Sequence, residues 1–515
     1  MFKILEKLKK YNADFIMLNS INEFSASHNE NTELARLTGF LGSAGEALVN
    51  KDGKIFLFVD PRYHISAKNL ENESLEAILL DMGEGFLDGF KKVADENSKI
   101  LIPASISHLK FLKYQEHFKN LIIIDSKEEK LKKDVEIYSI SDDIFKTKTK
   151  IDLIKEKYQG NLLVTSTDEI AYILDIRAFE FDYMSSFSSR LFLGEKNILF
   201  CDYKIPENYD FIKVLPLSEF EEYISSLEDE IYYDEENINE KTFSLIKKPT
   251  KDEKKLLQNM MSIKSKFEIE HLKFAFSKLD EAIFVFREKI KKGMSEIELK
   301  NLFESELMAT GARGLSFKTL LAVGENSASI HYSDYSDKKV QNSGDIILLD
   351  CGGYWDLGLA TDITRVFAPF GATYKQKKVY TQVLKAQIKA YLESSNKPYI
   401  LDKVARDYLE AVAPDGFEFS HALGHGIGQS VHQHPPTLSP RTKEDFELLP
   451  NMVFSIEPGL YKEGEFGIRL ENSCYLDENK QKVSLSKFPY ERNLIDYDML
   501  DEVELAYLES WGVLD

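Results

Sequence analysis

The sequence predicts an α/β protein of more than one domain, and three observations lead there. Its 515 residues exceed the usual span of a single domain. Strand-like and helix-like stretches alternate through the first third of the chain and then begin again. In the second half, short apolar runs each end on an acidic residue, a pattern of strands that deliver polar groups to one place. The composition, 43% hydrophobic and 29% charged, is that of a folded soluble chain with ample material for a large core.

A formal net charge of -21 argues against nucleic acid and anionic membrane as partners, since both are polyanions. The three cysteines, Cys201, Cys351 and Cys474, are widely spaced and odd in number, which suggests a reducing compartment and no disulfide framework. Residues 1–10 read as an amphipathic helix whose apolar run is too short for a signal peptide, and no stretch approaches the ~20 apolar residues of a membrane span. The expected location is the cytoplasm.

Taken in order, residues 54–60, 99–103 and 121–125 are the clearest buried strands of a first α/β domain. It carries a glycine-rich turn, Leu37-Thr-Gly39-Phe-Leu-Gly42-Ser-Ala-Gly45, followed by Asp60-Pro-Arg62-Tyr63. The glycine spacing fits neither a P-loop nor a dinucleotide fingerprint, so a tight structural turn is expected there in preference to a phosphate cradle. The lysine-dense stretch 127–133 marks a solvated face or linker, and the first domain is placed at 1–140. The pattern restarts with a strand at 161–165, a helix at 168–175 and a strand at 196–202, a second α/β domain of related design placed at 141–260. Within it, Phe220, Tyr223, Ile224 and Leu227 fall at helical spacing, so the acidic stretch 219–236 is expected to be a surface helix. The third domain, 261–515, opens with two amphipathic helices, 267–291 and 295–310, the second starting at a capping box of Ser295 and Glu298.

Four of the ten histidines lie between 421 and 434, three of them in Phe419-Ser-His421-Ala-Leu-Gly424-His425-Gly426-Ile-Gly428-Gln-Ser-Val-His432. Glycines there let backbone and ligand approach closely. Around this stretch stand Asp350 and Asp362, then Glu457 and Glu471, each beside a short apolar run. Four carboxylates and an imidazole suit a pair of divalent cations: hard oxygen donors, some able to bridge, plus a nitrogen that favours transition metals over calcium. Strand alternation puts Thr364 on the face of Asp362 and Arg469 on the face of Glu471, so these two are expected to brace the carboxylates. The Asp pair and the Glu pair are each joined by a short connection, which suggests two similar halves facing one another. His331 follows a strand near the first carboxylate; it is either a site residue or an ordinary surface loop residue.

The ordered signatures His331-Tyr, Asp350-x-Gly, Asp362-Ile-Thr-Arg, His421-x-x-x-His425-Gly-x-Gly, Glu457-Pro-Gly and Gly-Ile-Arg469-x-Glu471 resemble the metallopeptidase superfamily of methionine aminopeptidase, aminopeptidase P and prolidase. The glycine-rich turn, Asp60-Pro-Arg-Tyr and Asp168-Glu-Ile-Ala are similar to the two creatinase-like N-terminal domains of three-domain aminopeptidase P, so the resemblance spans nearly the whole chain. It implies a pita-bread (α+β) catalytic domain behind two creatinase-like α/β domains. It further implies Asp350, Asp362, His425, Glu457 and Glu471 as ligands of two divalent ions, with Asp362 and Glu471 bridging. The usual ion is manganese, with zinc or cobalt as alternatives. His331, His421 and His432 would surround the substrate. Two departures stand out: the connection from Asp350 to Asp362 is one residue longer than the commoner pattern, and His434 follows His432 closely, leaving the choice between them open.

The chemistry expected of such a site is attack on a peptide carbonyl by a hydroxide shared by the two ions, with Glu457 carrying the proton and His331 and His432 donating hydrogen bonds. The resemblance implies release of the N-terminal residue from peptides with proline second, by a homodimer. An Xaa-Pro bond has no N–H and a fixed φ, so its site must offer a flat apolar wall, for which His421 and Tyr461 are candidates. A prolidase would share every ligand but carry one N-terminal domain, and an inactive binding protein of this fold would have lost ligands.

Overall fold

The computed structural model describes residues 1–21, 24, 32–125, 135–141, 144–158 and 160–512; the lysine-dense stretch 127–133 lies outside them. The chain divides into two compact units, Met1–Leu257 and Gln258–Asp515.

The first unit holds two six-stranded sheets. One runs in the order Leu75–Leu79, Ile55–Val59, Gly45–Asn50, Phe15–Asn19, Lys99–Pro103, Asn120–Ile124. The other runs Lys213–Leu215, Ile198–Phe200, Arg190–Leu193, Asn161–Val164, Glu230–Tyr233, Lys248–Lys251. Read in these orders, neighbouring strands of both sheets pair parallel, antiparallel, antiparallel, parallel, parallel, so the second sheet repeats the plan of the first. The runs Ile-Leu-Ile and Leu-Leu-Val are apolar on both faces, as strands covered on both sides require. The glycine-rich turn folds around two rings: a Cβ at Gly42 would lie 2.3 Å from Phe40 and 2.6 Å from Tyr63.

The stretch 219–236 departs from expectation. Only Phe220–Ser226 is α-helical; the chain turns extended at Leu227 and Glu230–Tyr233 is a strand inside the sheet. Helical spacing ends at Leu227, and beyond it Ile231 and Tyr233 are both buried at a period of two, the signature of a strand.

In the second unit, Leu320–Val323, Ile347–Cys351 and Ile363–Phe367 form an antiparallel sheet, and Val453–Ile456 pairs with Asn472–Leu476, itself paired with Lys482–Ser484. The hairpin Gly459–Lys462 and Phe466–Arg469 links Glu457 to Glu471. Two helices back these strands. Tyr374–Leu392 begins at a Thr373–Gln376 capping box and Pro398–Val412 begins with proline, whose missing N–H costs nothing in the first turn. They bury Val379, Val383, Leu384, Leu401, Ala405 and Leu409 in one core with Leu348, Val366, Phe454, Ile456 and Ile468. Each large aliphatic or aromatic side chain so buried contributes about 1.5–3 kcal/mol. That core fixes the strand ends from which the acidic residues project.

Candidate active site

Asp350 lies in the strand Ile347–Cys351, and Asp362 immediately precedes the strand Ile363–Phe367 that pairs with it. Glu457 immediately follows Val453–Ile456, and Glu471 sits between Phe466–Arg469 and Asn472–Leu476. His425 comes from the two-residue strand Gly424–His425. Gly424 is required there, since a Cβ would fall 2.0 Å from the Ser455 carbonyl oxygen. Ligand atoms of Asp362, His425 and Glu471 all lie within 4.8 Å of one another. His425 Nε2 is 3.5 Å from Asp362 Oδ2 and 3.3 Å from Glu457 Oε1. Asp350 joins the same cluster through Arg469, whose Nη2 donates to Asp350 Oδ2 at 2.7 Å.

Burial raises the carboxyl of Asp362 well above the ordinary range, and the charges of Glu471, Asp350 and Glu457 push it further. Glu471 is raised well above the ordinary range for the same reasons, burial first and then Glu457 and Asp350. Asp350 is also raised by burial, with Arg469 pulling it back. For Glu457, burial acts upward, but the bond to His425 and the charges of His425 and Arg469 act against it, and its carboxyl lies below the ordinary range. One guanidinium does not balance four buried carboxylates, and uncompensated buried charge is costly. Two of their oxygens, Asp350 Oδ1 and Glu471 Oε1, are buried with no hydrogen-bond partner. Unused lone pairs on hard oxygens inside a surplus of negative charge are what a pair of divalent cations satisfies. His425 fits as well: its Nδ1 lies 3.2 Å from the Gly426 carbonyl oxygen, which can hold the ring proton and free Nε2, bonded to Glu457 in the ion-free site, for a cation.

Thr364 and Arg469 both brace carboxylates, each across the site. Thr364 Oγ1 donates to Glu471 Oε2 at 2.9 Å, whereas Asp362 shares only its strand, and Arg469 reaches Asp350. Alternation correctly puts these residues on the site's face, but each bond crosses to a carboxylate from the facing pair of strands. Arg469 is the hub: Nε donates to Thr364 Oγ1 at 3.2 Å, and Nη1 donates to Tyr461 Oη at 3.0 Å and to the Ile330 carbonyl at 3.1 Å.

Tyr461 Oη in turn lies 2.9 Å from His421 Nε2, and His421 Nδ1 lies 2.8 Å from the Ala422 carbonyl. A carbonyl accepts only, so Nδ1 carries the proton and Nε2 accepts from the phenol. His421 is thereby neutral, and burial pushes its pKa down to about 4 against the upward pull of Glu457. The rings of His421 and Tyr461 stand 5.5 Å apart at 59°. His432 packs edge-on against His425 with centroids 4.1 Å apart, while His434 Nδ1 engages Pro436 O and Thr437 Oγ1 of its own loop. His331 is half-buried in the turn just before Tyr332, and its neighbour Ile330 is the residue held by Arg469.

Sequence reasoning missed Ser455. Its hydroxyl accepts from the His425 N–H at 3.0 Å and donates to Glu457 Oε1 at 3.2 Å, tying two of the five residues together. It stands two residues before Glu457 on one strand face, so the alternation rule that found Thr364 and Arg469 finds Ser455 too.

Residues 270–478 match metallopeptidase family M24, and residues 3–132 and 143–268 each match the creatinase/prolidase N-terminal domain. Residues 270–478 thus form an M24 metallopeptidase region, with the creatinase-type domain present twice ahead of it. A probable Xaa-Pro aminopeptidase P of Laccaria bicolor is 24% identical over 99% of this chain and 88% of its own length. An Xaa-Pro dipeptidase of Pyrococcus horikoshii is 34% identical, over 44% of this chain and 63% of its own length. Among solved structures, an X-prolyl aminopeptidase of Caenorhabditis elegans, a cytosolic enzyme with a di-nuclear active site, superposes with a TM-score of 0.86, covering 99% of this chain and 94% of that one at 21% identity.

Proposed function

We propose that this protein is a metal-dependent aminopeptidase that releases the N-terminal residue from peptides with proline in second place. The observation that carries the reading is the convergence of Asp350, Asp362, His425, Glu457 and Glu471 with two buried carboxylate oxygens left unbonded. The preference for aminopeptidase over dipeptidase activity rests on length: the likeness to the Laccaria aminopeptidase runs through both N-terminal domains, whereas that to the Pyrococcus dipeptidase covers less than half the chain. We assign three domains, 1–140, 141–260 and 261–515, which the two repeated sheets of the first unit support.

In this reading Asp350, Asp362, His425, Glu457 and Glu471 would together hold two divalent cations, with Asp362 and Glu471 as the candidates to be shared between them. Those cations, manganese by family resemblance with zinc or cobalt as alternatives, supply Lewis acidity for the scissile carbonyl and lower the pKa of water. Glu457 would be ionised beside the cations, so it can accept a proton and deliver it to the departing prolyl nitrogen. His331 and His432 donate hydrogen bonds to the carbonyl oxygen as charge develops on it. His421, neutral and pinned through both nitrogens, cannot serve as an acid; with Tyr461 it presents ring faces beside the site, suited to the proline ring.

The test is a length series with metal-loaded protein. Xaa-Pro-Yaa peptides should be cleaved far faster than Xaa-Ala-Yaa and than the dipeptide Xaa-Pro, whose free carboxylate would sit where a longer chain continues. Fastest turnover of dipeptides would make it a prolidase, and indifference to proline would remove the specificity. The protein is expected to be a cytoplasmic homodimer acting on peptides, with no nucleic-acid or membrane partner; among the described residues no helix is long and apolar enough to cross a membrane. Sedimentation as a fully active monomer at micromolar concentration would refute the dimer.

A further inference from the structure

His331 is carried on a segment held from two sides. On one side the site itself holds it: the Gly467 N–H donates to Ser327 Oγ at 2.9 Å, and Arg469 Nη1 donates to the Ile330 carbonyl at 3.1 Å. On the other side the holder is one residue to which neither the ligand set nor the substrate histidines assign a role. Glu296 is the first residue of the helix Glu296–Ala309, and its side chain is buried. Its Oε1 accepts from the Val323 N–H at 2.7 Å and from Asn326 Nδ2 at 2.9 Å. Its Oε2 accepts from the Tyr332 hydroxyl at 2.7 Å, the Ser336 N–H at 2.8 Å and Ser336 Oγ at 2.6 Å.

Five donors to one carboxylate satisfy it without a cation, and its place at a helix N-terminus adds the favourable end of the helix dipole. The donors lie on both sides of His331: Val323 and Asn326 before it, Tyr332 and Ser336 after it. Burial and the bond to Glu296 raise the Tyr332 hydroxyl, so it stays protonated as a donor. Asn326 Nδ2 also lies 3.0 Å from Tyr332 Oη, closing a ring of bonds that ties the chain before His331 to the chain after it. A buried carboxylate meeting only donors is specified by charge: an amide in its place would point an N–H at one of them.

We propose that Glu296 is a positioning residue for catalysis, which sets the height of His331 over the metal cluster by gathering both flanks of its segment onto one buried carboxylate. The inference rests on the peptidase reading above. Glu296→Gln should lower kcat by about 10- to 100-fold with KM little changed, because His331 acts on charge that develops during the reaction. In a His331→Ala background the same substitution should change kcat less than about twofold, since residues acting through one another are not additive. Metal content should stay at two ions per chain. Amide hydrogen exchange should accelerate in residues 323–336 and stay unchanged in Ile347–Cys351 and Ile363–Phe367. If Glu296→Gln does not fold, Tyr332→Phe removes one of the five bonds and should give a smaller kcat loss with the same dependence on His331. Equal losses with and without His331, or no loss at all, would overturn the proposal while leaving the peptidase standing. A wild-type protein that binds two ions and cleaves no peptide would overturn both.

Discussion

Replacing Arg469 by methionine keeps the volume of the side-chain stem and removes the single positive charge that the described residues place among four buried carboxylates. In the folded chain that guanidinium makes four bonds, to Asp350 Oδ2, Thr364 Oγ1, Tyr461 Oη and the Ile330 carbonyl, and it is 1% exposed. Breaking a buried ion pair by deleting one partner costs about 3–5 kcal/mol, because the other charge stays buried and unpaired. For a domain of this size each kcal/mol moves Tm by about 2–4 °C, so the metal-free variant should melt about 10 °C below the metal-free wild type. The sign with pH follows from Asp350. Burial already raises its carboxyl and Arg469 pulls it back, so without Arg469 it rises further. An acid raised in the folded state makes that state bind more protons than the unfolded one, and stability then falls as pH increases. The deficit of the variant should therefore be largest above neutrality and shrink on acidification, as the protonated carboxyl ceases to need a partner. Bound divalent cations replace the missing charge, so saturating metal should close most of the gap. Calorimetry of chelated and metal-saturated samples at pH 5 and pH 8 checks each part. A chelated variant that melts within about 2 °C of wild type at pH 8 would refute the charge-balance argument.

Removing a bridging carboxylate should abolish metal and activity together: Asp362→Ala and Glu471→Ala are each expected to hold fewer than two ions by elemental analysis and to lose turnover, and full occupancy with full activity in either would remove the assignment. Glu457→Gln should lower kcat by about 10²- to 10⁴-fold, the usual reach of a proton carrier, while KM changes little; unchanged kcat would end that role. His421 is held at about 4 when folded against an ordinary 6.5, so between those values the unfolded chain binds more protons and stability is lost as pH falls. The half-buried ring should account for about 2 kcal/mol of that loss, and denaturant titrations of His421→Gln should show a correspondingly flatter profile from pH 6.5 to 4.

The acidic residues were legible because each stands beside an apolar run, and alternation then showed which neighbours share their face. What alternation cannot show is which carboxylate a neighbour reaches, since that depends on strands distant in sequence. Thr364 and Arg469 are legible on the right face, while for this reason their partners, Glu471 and Asp350, emerge only in the fold. Glu296 was hidden differently. The capping box reads Ser295 and Glu298 and is present as expected, but Glu296, the residue after Ser295, reaches Val323 and Ser336, contacts that exist only once the helix and the loop have met. The stretch 219–236 failed where a helical period passed into a strand period within a few residues, and a single window averages the two.

The crossed bonds give the site its coherence. Asp350 and Asp362 belong to one pair of strands, and Glu457 and Glu471 flank a hairpin elsewhere in the chain. Were each acid braced by its own strand, the two pairs could shift against one another and the spacing between cations would be set only by core packing. Instead Thr364 from the Asp side holds Glu471, and Arg469 from the Glu side holds Asp350. The chain of bonds then continues through Tyr461 to His421 and, through Ile330, to the segment that bears His331. Ligand spacing and the placing of the substrate histidines therefore depend on the same guanidinium. A substitution at Arg469 should consequently disturb metal affinity and substrate orientation together, whereas one at Glu296 should disturb orientation alone, and comparing the two separates what the metals require from what the peptide requires.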